Sequence, residues 1–309
     1  MRFIIFAEQY RYMLKYKADL RALFYMLLVA VAFVWQWQQG FNIFVYIFYL
    51  FLAVAISVIA HNHNHVNIWT FKPLNVVTDW FLTVFYGIPV FCWIPTHNRN
   101  HHRYNNREGD VTATYRNSEN NNLFTLVSYP SASGYWQIKE SIIPFMKQLR
   151  KTDRKTYYEY IVQIVVLASW IAFFLILDWK KAIAYVIIPQ QVSGYIVMIF
   201  NYVQHVHADE ESKWNHSRNF LDLNPLLFNN GYHTAHHEKA NMHWSEAPKA
   251  HKAVAHLIDP KLIEKSFFFY MFRTYIMGGI RSRWQTQSMR LKRMTNKKAE
   301  PSEVPVEAQ

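Results

Sequence analysis

FNIFVYIFYLFLAVAISVIAHNHNH, residues 41–65, decides how this chain is read: Phe41 to Ala60 carry no charge, and His61, His63 and His65 follow at once. A helix needs about 20 apolar residues to cross ~30 Å of hydrocarbon. A buried helix of a soluble bundle would keep a polar stripe at helical spacing, and Phe41 to Ala60 has almost none. The segment is therefore read as a membrane span whose end delivers imidazoles to one face of the bilayer.

Three further apolar runs lie outward from it, at residues 20–37, 161–177 and 182–200. The first holds only Arg21 as a charge; the last is interrupted by Pro189, Gln190, Gln191 and Gly194, which a span tolerates when neighbours satisfy the freed backbone. The expected fold is all-α: an integral membrane protein of about four transmembrane helices in two hairpins, with a cytoplasmic helical cap carrying the histidine clusters. Residues 1–280 read as a single domain, and 281–309 as a basic then acidic, solvated and partly disordered tail, with attraction to anionic lipid as a secondary reading. The start of the chain does not read as a signal peptide, because its apolar run is short and lacks a small-residue cleavage site.

Arg11, Lys15 and Lys17 precede the first run, Arg21 stands at its start, and ten Lys and Arg residues from Arg99 to Lys155 separate the hairpins. The positive-inside bias then puts both termini, and all the histidine clusters, on the cytoplasmic side; Lys180 and Lys181 count mildly against it. Residues 74–95 are apolar but hold Asp79, Gly87 and two prolines, and read as a segment lying at the interface or packed under the catalytic domain, with a re-entrant hairpin as the alternative. Trp35, Trp37, Trp69, Trp80 and Trp93 read as interface anchors. The net charge of +12 is spread around the spans with no recognition motif, so nucleic acid is not expected as a partner. The single cysteine, Cys92, excludes an intrachain disulfide and a multi-thiolate metal site, and reads as a small core residue.

The histidines carry the chemistry. Neutral imidazole is the commonest protein metal ligand, and positions i and i+3 or i+4 share a helix face. His61 and His65 meet that spacing, with His63 turned away as a supporting or surface residue; His97 and His101 meet it too, with His102 displaced; His233, His236 and His237 fall on one face. With His205 these make nine imidazoles, more than one ion takes, so two ions are expected. Ligand type alone does not separate iron, copper, nickel and zinc. Asp110, Asp209, Asp222, Glu238 and Glu246 are candidates to accept the second N–H of a ligand imidazole, or are simply exposed carboxylates. His207, His216, His243, His251 and His256 default to surface or structural roles.

HNHNH, HNRNHH, NYVQH and HTAHH, in this order against two apolar hairpins, resemble the histidine boxes of the membrane fatty acid desaturase and hydroxylase superfamily, over about Phe41 to His251. The stretch NNGYHTAHHEKANMHWSEAPKAH is similar to bacterial fatty acid desaturases. The resemblance implies a non-haem di-iron centre held by His61, His65, His97, His101, His102, His205, His233, His236 and His237, with Asn201 completing one iron's coordination through water. It implies O2, a long-chain acyl substrate, the lipid bilayer of a bacterial inner membrane, and an external electron donor of ferredoxin, rubredoxin or cytochrome type. The second box departs from the H-x-x-H-H of many desaturases by one residue and is closer to alkane hydroxylase-like members.

Oxidation of a long acyl chain follows: loss of two hydrogens gives a double bond, while oxygen insertion gives an alcohol, and an alkene-forming decarboxylase is a further member of the same class. A membrane zinc hydrolase is the reading from another class, but it wants a carboxylate base as in H-E-x-x-H, and Asn62 and Asn64 occupy those places. A metal transporter would carry polar ligands within its spans rather than beyond them.

Overall fold

The computed structural model describes residues 13–299. Arg11, the opening of the chain and the acidic end of the tail, on which three expectations rest, lie outside the described residues. The molecule is mostly helical, and the described residues hold one short parallel strand pair, β1 (Asn219–Phe220) against β2 (Ile263–Glu264).

Helices α1 (Leu20–Gln39) and α2 (Ile43–His65) form the first hairpin. Asn42 ends the turn: its side chain accepts from the backbone N–H of Phe44 and Val45, satisfying donors left open at the start of α2. Helix α3 (Lys72–Tyr86) stops at Gly87, whose φ of +82° suits glycine and whose missing Cβ leaves room for Gln190. The chain then turns through 93° into a second helical stretch, Val90–Tyr104. Residues 74–95 thus hold a sharp bend between two helical stretches, a geometry that a broken span and a re-entrant loop share. Helices α4 (Leu123–Trp136) and α5 (Ile143–Thr152) follow.

Helix α6 (Arg154–Ala182) and α7 (Ile188–His205) form the second hairpin. Asp178 leaves helical geometry at φ −162° and ψ 100°, and its carboxylate accepts from the N–H groups of Lys180 and Lys181, restarting the helix in the opposite sense. Phe174 of α6 packs on Phe33 and Trp37, whereas Gln163, further back on α6, accepts from the backbone of Phe91. Lys17–Gln39, Ile43–His65 and Arg154–His205 are each long and apolar enough to cross a membrane, with the bent pair as a fourth if taken together. Such a set of helices, with large apolar side chains such as Phe44 and Ile176 facing outward, is that of a membrane protein.

Hydroxyls inside this bundle end on carbonyls, as a medium without water requires. Tyr46 and Tyr49 donate to the carbonyls of Ala184 and Tyr185, and Ser193 donates to that of Ala53. These contacts run in step along α2 and along α7 with the π-helical turn Ile183–Ile187 that leads into it, so the two helices are parallel. Their final residues, His65 and His205, emerge at the same end, where the histidine clusters gather.

Candidate metal centre

Nine imidazoles converge at that end in two groups: His61, His65, His97, His102 and His236, and His101, His205, His233 and His237. They are the nine singled out in the sequence, and His63, His207, His216, His243, His251 and His256 stand outside both groups. Within the larger group the Nε2 atoms of His61, His97, His102 and His236 form a closed ring with edges of 2.9, 3.0, 3.1 and 3.2 Å. His65 stands against this ring, its Nε2 lying 3.1 Å from that of His61. In the smaller group, His205 Nε2 lies 3.1 Å from His101 and 2.9 Å from His233, and His233 lies 3.1 Å from His237.

A ring of this kind is not a hydrogen-bond network. Each ring Nε2 has two close neighbours, yet a neutral imidazole nitrogen either carries one proton or offers one lone pair, never both. A shared cation resolves the arrangement, since all the lone pairs can point inward together. Two nitrogens ~2.1 Å from one ion and at right angles to each other lie about 3.0 Å apart, against about 3.4 Å for a tetrahedral site. The observed edges fit the first geometry, and five donors exceed the four of a structural zinc site.

The local helix winding decides which ion each histidine serves. Residues Ile94–His101 are wound as a π-helix, in which the N–H of His102 reaches back to the carbonyl of His97. His97 and His102, five apart, therefore share a group, and His101 faces the other. This corrects the expected pairing of His97 with His101, which assumed ordinary α-helical spacing. Helix α8 (His233–Glu238) keeps α-geometry, so His233 and His237 share one group and His236 turns to the other. Its start is anchored to β1: Asn219 accepts from the N–H of Thr234 and donates to its hydroxyl. Gly231 permits the approach, because a Cβ there would lie 2.0 Å from the carbonyl oxygen of Phe220.

Tautomers are fixed from behind. His101 Nδ1 lies 2.8 Å from Asp110 Oδ2, and His205 Nδ1 donates to the carbonyl of His216 at 3.1 Å. A proton held on Nδ1 leaves the Nε2 lone pair free for an ion. Burial pushes the Asp110 carboxyl up, but the His101 imidazole and the hydrogen bonds from His101 and Thr112 outweigh it and hold it below the usual range. His63 has the opposite tautomer: Nδ1 accepts from the N–H of Ile68, so its Nε2 carries the proton toward Asp79 at 3.4 Å. His63 is buried and structural, not a surface residue. Burial first, and neighbouring imidazoles second, hold His233, His236 and His237 well below 6.5, so they are neutral.

The other carboxylate candidates do not reach the imidazoles. Asp209 pairs with Arg293, Asp222 accepts from the N–H of Phe267, and Glu238 and Glu246 are exposed. His243 is buried between Tyr16 and Asp19, His251 packs on Tyr232, and His207 bonds to Thr286 and the carbonyl of Glu119. His256 is exposed. Trp93 is no interface anchor: it stacks on His61 at 5.0 Å and meets the edge of His97, and no spacing rule pointed there. Trp69 also turns inward, donating to Thr78. Asn201 donates to the hydroxyl of Tyr129, which in turn donates to the carbonyl of Thr112.

Asn201, His61, His97 and His233 face a cavity of about 40 Å³. Through Trp93, Thr96, Gln137 and Met198 it adjoins a larger cavity of about 490 Å³, mainly apolar and lined by residues such as Ile88, Phe91, Ile138 and Ile164. Comparison with the curated proteins and with the solved structures finds no match. A family model described as fatty acid desaturase matches residues 41–269.

Proposed function

The chain belongs to the fatty acid desaturase family, a family of desaturase- and hydroxylase-type oxidoreductases, and on that premise we propose that it is an oxygen-dependent di-iron desaturase placing a double bond in a long acyl chain. One observation carries this reading: nine Nε2 atoms converge in two groups beside an apolar cavity. The donor set fits two ions of a metal that imidazole suits, and the family, typically di-iron, selects iron among them. When bound, the metal pair would supply the oxidising power to break unactivated C–H bonds.

The protein's own residues do the placing. The apolar cavity accepts the acyl chain, and Trp93, Thr96, Gln137 and Met198 at the junction hold one pair of methylenes against the imidazoles. Asp110 and the carbonyl of His216 keep the protons of His101 and His205 on Nδ1. The buried packing around the groups excludes bulk water, which keeps the reacting carbon dry. Removal of one hydrogen from each of two adjacent carbons, with O2 reduced to water, requires two electrons from an external carrier of ferredoxin, rubredoxin or cytochrome type. The proposed topology has four spans, with α1–α2 and α6–α7 as the two hairpins, and places the site and both termini on the cytoplasmic side of a bacterial inner membrane.

The test is iron analysis of the detergent-purified protein, followed by turnover with O2, a reducing system and a panel of acyl substrates, with products read by mass spectrometry. About two irons per chain and products lighter by two hydrogens are expected. A gain of one oxygen would make the protein a hydroxylase, loss of carbon dioxide a decarboxylase, and zinc without oxygen consumption would overturn the reading.

A further inference from the structure

A cavity larger than either of those beside the histidines lies elsewhere in the molecule. It holds about 1130 Å³ and lies between β2, the helical segment 267–280 and helix α9 (Met289–Ala299). Its charge is lopsided. Lys261, Lys265, Arg283 and Lys292 line it with no ion pair among the described residues. Arg218 lines it too, only 3% exposed; one of its nitrogens donates to the carbonyls of Val203 and Val206, and its Nε faces Glu264 Oε1 at 3.9 Å, too far for a hydrogen bond. Of the carboxylates there, Glu264 is engaged by Arg273 and Asp209 by Arg293, which leaves Asp259. Four cations without an ion pair, set around Arg218 and facing a single unengaged carboxylate, make this wall a receptor for an anion, and a phosphate group matches the guanidinium of Arg283 best.

The segment beside it shows what brings the phosphate. Residues 267–280 bury Phe267, Tyr270, Thr274 and Tyr275 on one side, and Phe267 packs on Phe200 of α7. The other side exposes Phe268 at 69%, Phe272 at 53%, Ile276 at 48% and Ile280 at 72%, each four residues from the last. Large apolar side chains at that spacing, with both flanks basic, form the face of a helix that lies in a membrane interface. The segment is continuous through Phe200 with a helix apolar enough to cross the bilayer, so this face meets the same membrane. Phe269 and Arg273 of this segment also line the cavity, which therefore opens at headgroup level.

We propose that this cavity binds the phosphodiester of an anionic glycerophospholipid, whose acyl chains lie along Phe268, Phe272, Ile276 and Ile280. Native mass spectrometry of the holoprotein in mild detergent tests it, with dioleoyl phosphatidylglycerol and dioleoyl phosphatidylcholine offered in equal amounts. The expected result is one retained phosphatidylglycerol at least tenfold in excess of phosphatidylcholine, undisturbed by millimolar inorganic phosphate. Retention should fall at least tenfold in the double variant Lys265→Glu, Arg283→Glu, both exposed positions, with iron content unchanged. The separate variant Phe272→Ser, Ile276→Ser should weaken retention without altering charge. Equal retention of the two lipids, or of wild type and the charge variant, overturns the proposal. So does a charge variant that keeps its lipid but raises the KM for the reduced electron carrier, since the cavity would then be a protein dock.

Discussion

His101 Nδ1 and Asp110 Oδ2 lie 2.8 Å apart, both fully buried, and Asp110 is further held by the N–H groups of Asn106 and Thr112. The carboxylate is thereby immobilised before any ion arrives, and with it the direction of His101 Nε2. Loss of such a supporting group costs roughly 10–100-fold in metal affinity. Asp110→Asn should therefore lower bound iron from two toward one per chain, emptying the four-imidazole group first, as read by metal analysis and by titration with a chelator.

The two histidines of HNHNH that point apart should separate cleanly in function. His65→Ala removes a donor from the larger group and should abolish turnover with loss of iron. His63→Gln leaves that group intact but breaks its buried contacts with Ile68 and Asp79, at a cost of about 1–3 kcal/mol in stability. Iron content and thermal melting measured on both variants decide it; iron loss in His63→Gln would assign that residue wrongly here.

Gly134 lines the apolar cavity, and a Cβ there would meet nothing within 4 Å. Gly134→Leu should fold, keep its iron and take shorter acyl chains than wild type, because the added side chain occupies cavity volume. Competition between chain lengths, with products quantified by mass spectrometry, gives the shift. An unchanged preference would remove this cavity from the substrate path.

The iron-free protein should lose stability as pH falls below about 6.5. His233, His236 and His237 are held well below that value by burial, and burial aided by His101 and Arg107 pushes His216 down to about 4. In the unfolded chain these groups take up protons near 6.5, so acid favours unfolding progressively below that point, while above it their contribution is constant. Melting of chelator-stripped protein between pH 8 and pH 5 measures this. A flat profile would mean that the imidazoles are hydrated rather than buried.

Much of this was legible beforehand, and the particular residues show why. Charge-free runs reveal helices in lipid because composition alone excludes other solutions there, as at Phe41 to Ala60. The nine imidazoles stood out because blocks of histidine have no ordinary structural use. Their division between the two groups was not readable, since the pairing of His97 with His102 rests on a π-turn that periodicity does not announce. Nor was Trp93, whose contact with His61 comes from the bend after Gly87. Asp110 was one of five acids, and only the fold shows which of them turns inward.

The extra residue of the second box reads differently once its winding is known. A first and a last histidine five apart on a π-turn point as a pair four apart do on an α-turn. HNRNHH and the shorter H-x-x-H-H can therefore aim their donors identically, the inserted residue being absorbed as a bulge in the helix wall. In this chain the longer box is a matter of helix winding, and its length by itself does not choose between desaturation and hydroxylation.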